Sequence, residues 1–499
     1  MFAILSGIIL ALPFCNGRLW IFAWFGFLPL FAALQNKSRA SAFWYSYLTG
    51  VIFWAGTIYW LAHVTLVGTI LLVLYLALYF GVFGLFVKNY QLPVTSYQLL
   101  FLPSIWVLLE YLRSYLLTGF PWALLGYSQY LNLPVIQIAD LTGAYGVSFL
   151  VMMVNAAIYS VVSRQSSVVS ARKKHLFLAV LCLIFTLIYG YYKIYRARST
   201  KHLAPIKISV IQGNIPQELK WEAPAREFIL KKYLRLSKEA LADKPDLIIW
   251  PEAALPVVLE EEPLFFRQVE EFYASHKIPL LLGAVTSSNK LYYNSAIFIA
   301  QPGVGPFRYD KLHLVPFGEY IPLKTVFPFL QTIVPIGDIN RGKDYTVFKL
   351  IPGGSKEPLK FSVLICFEDV FPRVASGFIK EGAQLLVNIT NDAWYKKTSA
   401  PYQHLQASVF RAVENRVYLV RAANTGISGF IAPSGKIISF VEGEKNEKIF
   451  VDGYQSRQVK AAGGKTSFYT RHGDVFIGVC FLFALYCVIT PLSAKNSKR

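Results

Sequence analysis

Acidic residues are nearly absent from the first part of this chain: of its 29 Asp and Glu, residues 1–200 hold two, Glu110 and Asp140. Charge is scarce throughout, at 16% of 499 residues, while hydrophobic residues make up 55%. A chain this apolar is not an ordinary soluble globule. The other 27 acids fall in residues 201–499, so two parts of the chain meet different solvents. Cysteine is scarce as well. The five residues Cys15, Cys182, Cys366, Cys480 and Cys487 are an odd set, and all but Cys366 lie in or beside apolar runs, which argues against a disulfide framework. Of the seven histidines, His313 and His404 show no metal-ligand spacing with other His, Cys or acids, so no metal is expected. No Gly-rich loop precedes a helix, so no nucleotide cofactor is expected either.

Long apolar runs are what the chain has instead. They occur near 2–15, 19–35, 43–62, 66–87, 98–118, 144–163, 175–195 and 474–493. A bilayer core takes about 20 helical residues, so these runs predict a polytopic helical membrane part with about eight spans. The net charge of +20 does not point to nucleic acid, because no basic aromatic module is present and the bases cluster between apolar runs. Lys37 and Arg39, Lys88, the group Arg164, Arg172, Lys173 and Lys174, and the tail Lys495, Lys498 and Arg499 follow the even-numbered spans. The positive-inside rule then places both termini in the cytoplasm and residues 200–470 outside. In "WVLLEYLRSY" Glu110 and Arg113 stand three apart on one helical face, where they can pair, either as a packing device or as a functional intramembrane site.

From about Ile206 the pattern changes to short β-branched runs alternating with amphipathic stretches. "IKISVIQ", "DLIIW", "IPLLLGAV", "NSAIFIA", "KFSVLIC", "LLVNIT" and "VYLVRAA" read as strands, with helices near 225–242, 262–276, 370–381 and 402–415. This predicts a layered α/β domain. The expected division is a membrane part at 1–199, the α/β domain at 200–470, and a last span with a basic tail at 471–499. Three strand ends collect reactive groups: Glu252 after "DLIIWP", Lys311 followed eight residues later by Glu319, and Cys366 followed by Glu368. A thiol is little ionised at neutral pH and needs a base or a cation to become a nucleophile. A carboxylate and an ammonium supply both.

The segments "WPEAALP", "DKLHLVPFGEYIP", "ICFED" and "NITNDAWY" resemble the nitrilase, or carbon–nitrogen hydrolase, superfamily. With apolar spans on both sides, and with "QGNIPQELKW", "GFPWALLGYSQ", "QHLQASVFRAVENRVYLVRAANTGISG" and "TRHGD" also matching, the chain is most similar to the apolipoprotein N-acyltransferase family, over nearly its whole length. The resemblance implies an extracytoplasmic nitrilase-like αββα sandwich set on the membrane part. It implies Glu252 as general base, Lys311 as electrostatic stabiliser and Cys366 as nucleophile, with Glu319 and Glu368 as supporting acids. Trp221, Phe367 and Trp394 match positions near the substrate entrance; where Phe367 stands the family has Tyr. Implied partners are a phospholipid acyl donor, phosphatidylethanolamine by preference, and the N-terminal diacylglyceryl-cysteine of an apolipoprotein. The implied place is the bacterial inner membrane, with the catalytic domain periplasmic, and nothing in the sequence requires more than a monomer.

Two other readings compete. A membrane-tethered amidase would use the same triad but needs one helix, not seven preceding spans. A catalytically dead lipid-binding homologue would not need the triad and both supporting acids. Gly and Pro punctuate residues 315–345, a long connection that reads either as a lid or as a segment packed rigidly on the membrane surface.

Overall fold

The computed structural model describes residues 1–89, 96–162, 169–197, 202–300, 306–321, 339–353, 357–463 and 466–496. Residues 322–338, most of that long connection, lie outside them, as do Arg164, Lys498 and Arg499 of the orientation argument. The chain divides into two compact units. One comprises Met1–Arg198, Thr398–Phe410 and Ser467–Arg499, and the other Ser199–Lys397 and Arg411–Thr466.

In the first unit, Leu66–Val87, Leu99–Thr118, Ala144–Val162 and Lys173–Arg196 are long and apolar enough to cross a membrane, and Phe2–Cys15, Gly17–Ala33, Leu133–Thr142 and Val475–Ile489 are shorter apolar helices. The run at 19–35 is not one straight span: a 3-10 stretch, Gly17–Trp24, gives way to a short helix, Leu28–Ala33, that starts with Pro29 in its first turn. Proline lacks the N–H that a continuing helix would use. Helices Arg39–Thr57 and Leu66–Asn89 approach closely through small residues. A Cβ on Gly50 would meet Phe80 Cβ at 2.8 Å, and one on Gly84 would meet the Ala42 carbonyl at 2.5 Å. Such small-residue seams replace the hydrophobic effect where the solvent is itself apolar. Large apolar side chains such as Leu66, Leu71, Phe177 and Phe185 point outward.

Glu110 and Arg113 are both buried but take separate partners. Glu110 Oε1 accepts from the Leu125 N–H at 2.7 Å, and Arg113 Nη1 donates to the Trp122 carbonyl at 2.9 Å and to that of Phe120. Both therefore pin the 120–125 segment, where the spacing alone suggested a direct pair. Gln403 ties residues 398–410 into this unit. Its amide nitrogen donates to the Phe14 and Thr57 carbonyls and to Ser399 Oγ, and its oxygen accepts from Trp60 and Trp122.

The second unit holds two sheets. The first contains β1 (His202–Gln212), β2 (Leu247–Ile249), β3 (Leu255–Val258), β4 (Leu280–Ser288), β5 (Leu291–Ile299), β6 (Phe307–Asp310) and β13 (Gly453–Ala462), in the order β13-β1-β2-β4-β5-β6, with β3 beside β4. The second runs β12 (Ile437–Phe440), β11 (Gly429–Ile431), β10 (Tyr418–Ala423), β9 (Leu385–Thr390), β8 (Leu359–Ile365), β7 (Phe348–Leu350). Each has a parallel centre, β1-β2-β4 and β8-β9-β10, flanked by antiparallel strands. Parallel strands covered on both faces read as continuous apolar runs, as in "LII" and "LLVNIT". The sheets meet through Phe298 of β5, whose ring stands edge-on to Phe361 of β8 at 5.1 Å. Helices Arg226–Ala240 and Pro263–His276 cover the first sheet with Ile229, Leu230, Tyr233, Leu236, Val269 and Tyr273. Helix Pro372–Lys380 packs on β8.

Candidate active site

Glu252, Lys311 and Cys366 follow β2, β6 and β8, so three strand ends converge on one site. The end of β2 is fixed first. Trp250 stacks on Tyr233 at 5.1 Å and donates its indole N–H to Ser237 Oγ at 2.7 Å. Its main chain continues the pairing with β4, Trp250 N to the Leu281 carbonyl at 2.8 Å and Gly283 N to the Pro251 carbonyl at 3.1 Å. Gly283 is required there, because a Cβ would sit 2.6 Å from Glu252 Cα. The turn then forces Ala253 to φ 45°, a left-handed conformation that costs a residue with a Cβ.

Lys311 is 1% exposed, and its Nζ lies 2.9 Å from Glu319 Oε1 and 3.7 Å from Glu252 Oε1. Asn294, in the middle of β5, closes the figure by donating its amide to Glu252 Oε1 and Glu319 Oε1, each at 2.8 Å. Burial alone would lower the lysine's pKa, but Glu319 and then Glu252 outweigh it and hold the ammonium above the ordinary lysine range. Glu319 Oε2 also accepts from the Val315 N–H at 2.7 Å, which closes the loop after Lys311 onto the same carboxylate.

Cys366 leaves β8 with φ 52°. Asn388 of β9 holds that bend by donating to the Leu364 and Cys366 carbonyls at 3.1 and 3.2 Å. Burial and then the Glu252 carboxylate push the thiol well above its ordinary range, with Lys311 pulling the other way. Burial and the Glu252 carboxylate both favour the neutral thiol over the thiolate. Glu368 is fully buried and accepts from the N–H groups of Ile365, Leu312 and His313 at 2.7, 2.6 and 3.0 Å and from Tyr309 Oη at 2.8 Å. It binds the residue before Cys366 to the two residues after Lys311. Behind it, Arg421 of β10 pairs with Asp369 at 2.8 Å and approaches Asp392 at 3.8 Å.

The aromatic residues fall in several settings. Phe367 packs edge-on to Phe371 at 5.1 Å, whereas Trp221 and Trp394 are half-exposed. Trp394 lies in the short turn Asp392–Tyr395, whose two end residues both act electrostatically on Cys366. Asp392 accepts from Thr390 Oγ1 at 3.4 Å and faces Arg421. Asn294, Arg421 and Lys220 escaped the sequence reading. An Asn heading the otherwise apolar run "NSAIFIA" was the one signal for the first, and nothing distinguished the others from ordinary surface bases.

Residues 6–157 match the family model described as "Apolipoprotein N-acyltransferase N-terminal domain", and residues 207–462 match "Carbon-nitrogen hydrolase". Among similar proteins, the apolipoprotein N-acyltransferase of Geobacter metallireducens is 38% identical, covering 96% of this chain and 92% of its own length. Those of Rickettsia typhi, at 32% with 88% of each chain covered, and Pasteurella multocida, at 30% with 97% and 94% covered, match as well. With a nitrilase-like pair of sheets, an apolar helical unit and relatives aligned along almost its whole length, this chain belongs to the apolipoprotein N-acyltransferase family of carbon–nitrogen hydrolases.

Proposed function

We propose that the protein transfers a fatty acyl chain from a phospholipid, through a thioester on Cys366, to the α-amino group of the N-terminal diacylglyceryl-cysteine of apolipoproteins. The observation that supports this mechanism best is the buried Lys311 ammonium, held between Glu319 and Glu252 and acting electrostatically on Cys366. Glu252 takes the thiol proton as the sulfur attacks the ester carbonyl of the donor, and Lys311 offsets the charge that develops on the carbonyl oxygen. Collapse of the tetrahedral species breaks the carbon–oxygen bond. The lysophospholipid oxygen leaves with the proton that Glu252 held.

In the second half the neutral amine attacks the thioester, Glu252 takes the amine proton, and the thiolate leaves and is reprotonated, which regenerates the enzyme. This is ping-pong acyl transfer. A free thioester invites water, so the site must stay dry between the halves. Residues 1–199 and 471–499 are read as a membrane domain of about eight spans with cytoplasmic termini, and residues 200–470 as a periplasmic catalytic domain of a monomeric inner-membrane enzyme. The test is N-acylation of a synthetic diacylglyceryl-cysteine peptide in the presence of phosphatidylethanolamine. Formation of the triacylated peptide by wild type, and none by Glu252→Gln, supports the reading. Cys366-dependent hydrolysis of small amides with no triacylated product contradicts it.

A further inference from the structure

Lys220 is a buried cation to which the triad assigns no role. It sits between β1 and helix Arg226–Ala240, one residue before the half-exposed Trp221, and is itself 2% exposed. Its Nζ donates to the main-chain carbonyl of Glu252 at 3.0 Å. A lysine is seldom buried at that depth unless charge of the opposite sign is near. Burial pushes its pKa down to about 8, with Glu252 and then Cys366 opposing the fall, so the ammonium is mostly charged at neutral pH and its charge reaches both groups that exchange the proton.

Charge balance gives this position its meaning. Glu252 and Glu319 carry two negative charges against the single positive charge of Lys311. Lys220 balances these three side chains, and moving a proton from sulfur to Glu252 keeps that balance. The same hydrogen bond holds the carbonyl of Glu252 just where the chain enters the left-handed turn at Ala253. We propose that Lys220 is a positioning residue for acyl transfer: it clamps the main chain of Glu252 and supplies the second positive charge that lets the Cys366 thiolate form. This inference rests on the Glu252–Lys311–Cys366 reading above.

The test uses the full chain in detergent and follows alkylation of Cys366 by iodoacetamide against pH, mapped to the Cys366 peptide because Cys15, Cys182, Cys480 and Cys487 are also free. Besides Lys220, the groups acting on this sulfur include Glu252, Lys311, Asp392, the Thr390 hydroxyl and Tyr395. Lys220→Met is expected to slow alkylation of Cys366 at pH 7, where Lys220 is mostly charged, by about tenfold or more, the usual effect of removing a nearby opposite charge. Thioester formation at pH 7 should fall about tenfold or more. Lys220→Gln, which can keep the bond to the Glu252 carbonyl without the charge, should show the slowed alkylation at pH 7 too, and Lys220→Arg should recover most of the wild-type profile. If Lys220→Met does not fold, the Gln and Arg variants carry the comparison. Wild-type alkylation rates at pH 7 in folded Met or Gln variants overturn the inference. Acyl uptake that survives Cys366→Ala overturns the triad reading instead, so the two failures are distinguishable.

Discussion

Glu368 receives hydrogen bonds from three main-chain N–H groups and a tyrosine hydroxyl, and it holds no covalent part in the proposed chemistry. Its replacement by glutamine sets an amide N–H against donors. Above about pH 7, where Glu368 is ionised, charge-assisted bonds of this kind are worth about 1.5–3 kcal/mol each, and a buried donor left unmatched costs about as much again. Glu368→Gln should lower the thermal midpoint by several degrees and slow thioester formation at least about tenfold, because the loops bearing Lys311 and Cys366 lose their shared anchor. A pH dependence follows as well. Burial raises the Glu368 carboxyl to about 7, so between the ordinary carboxylate range and pH 7 the folded protein holds a proton that the unfolded chain has released. This contribution to stability is complete below the unfolded pKa and is lost as pH rises through about 7. Thermal midpoints measured from pH 5 to 8 should include this downward component in wild type and lack it in Glu368→Gln. Glu368 was legible as an acid two residues after the cysteine. Asn294 and Lys220 were not, since each acts on Glu252 from a distant stretch of sequence, 42 and 32 residues away, and only the fold brings it there.

At the scale of elements, Gly283 shows how a strand aims the proposed base, Glu252. The main chain of β4 passes so close to the β2 turn that a methyl group on residue 283 would lie 2.6 Å from Glu252 Cα and Ala253 N. Gly283→Ala should displace Glu252 by a fraction of an ångström to an ångström and reduce the rate of thioester formation about a hundredfold. Gly478→Ala, where a Cβ meets nothing within 4 Å, serves as the control and should leave the rate unchanged. A single-turnover measurement of acyl uptake by both variants checks this. The seven strands expected from β-branched runs are all present, because burial on both faces writes itself into the sequence as uninterrupted Leu, Ile and Val. The strands missed are of another kind. β3, β6, β7, β11 and β12 have three or four residues each, too few to display a period, and β13, "GYQSRQVKAA", is a polar edge strand recruited from far along the chain to pair with β1. The broken run at 19–35 was missed for the opposite reason: hydropathy registers the apolar content and ignores how Pro29 starts a new helix.

The whole chain was legible in outline because the motifs of one family occur in order along it, while their assembly was not. Residues 398–410 follow the cysteine-bearing strand in sequence yet belong to the same compact unit as the apolar helices. Gln403 secures that by satisfying its whole amide with partners drawn from residues 14, 57, 60, 122 and 399. A single glutamine on an amphipathic helix announces none of this. At this scale the account stands on one covalent species, the acyl-enzyme at Cys366. It is tested most directly by intact mass spectrometry of the purified protein after incubation with phosphatidylethanolamine. The account predicts a mass gain of one fatty acyl chain in wild type that hydroxylamine removes, that a diacylglyceryl-cysteine peptide discharges, and that Cys366→Ala lacks. An adduct of the same mass on Cys366→Ala, or triacylated peptide formed by that variant at the wild-type rate, would contradict it.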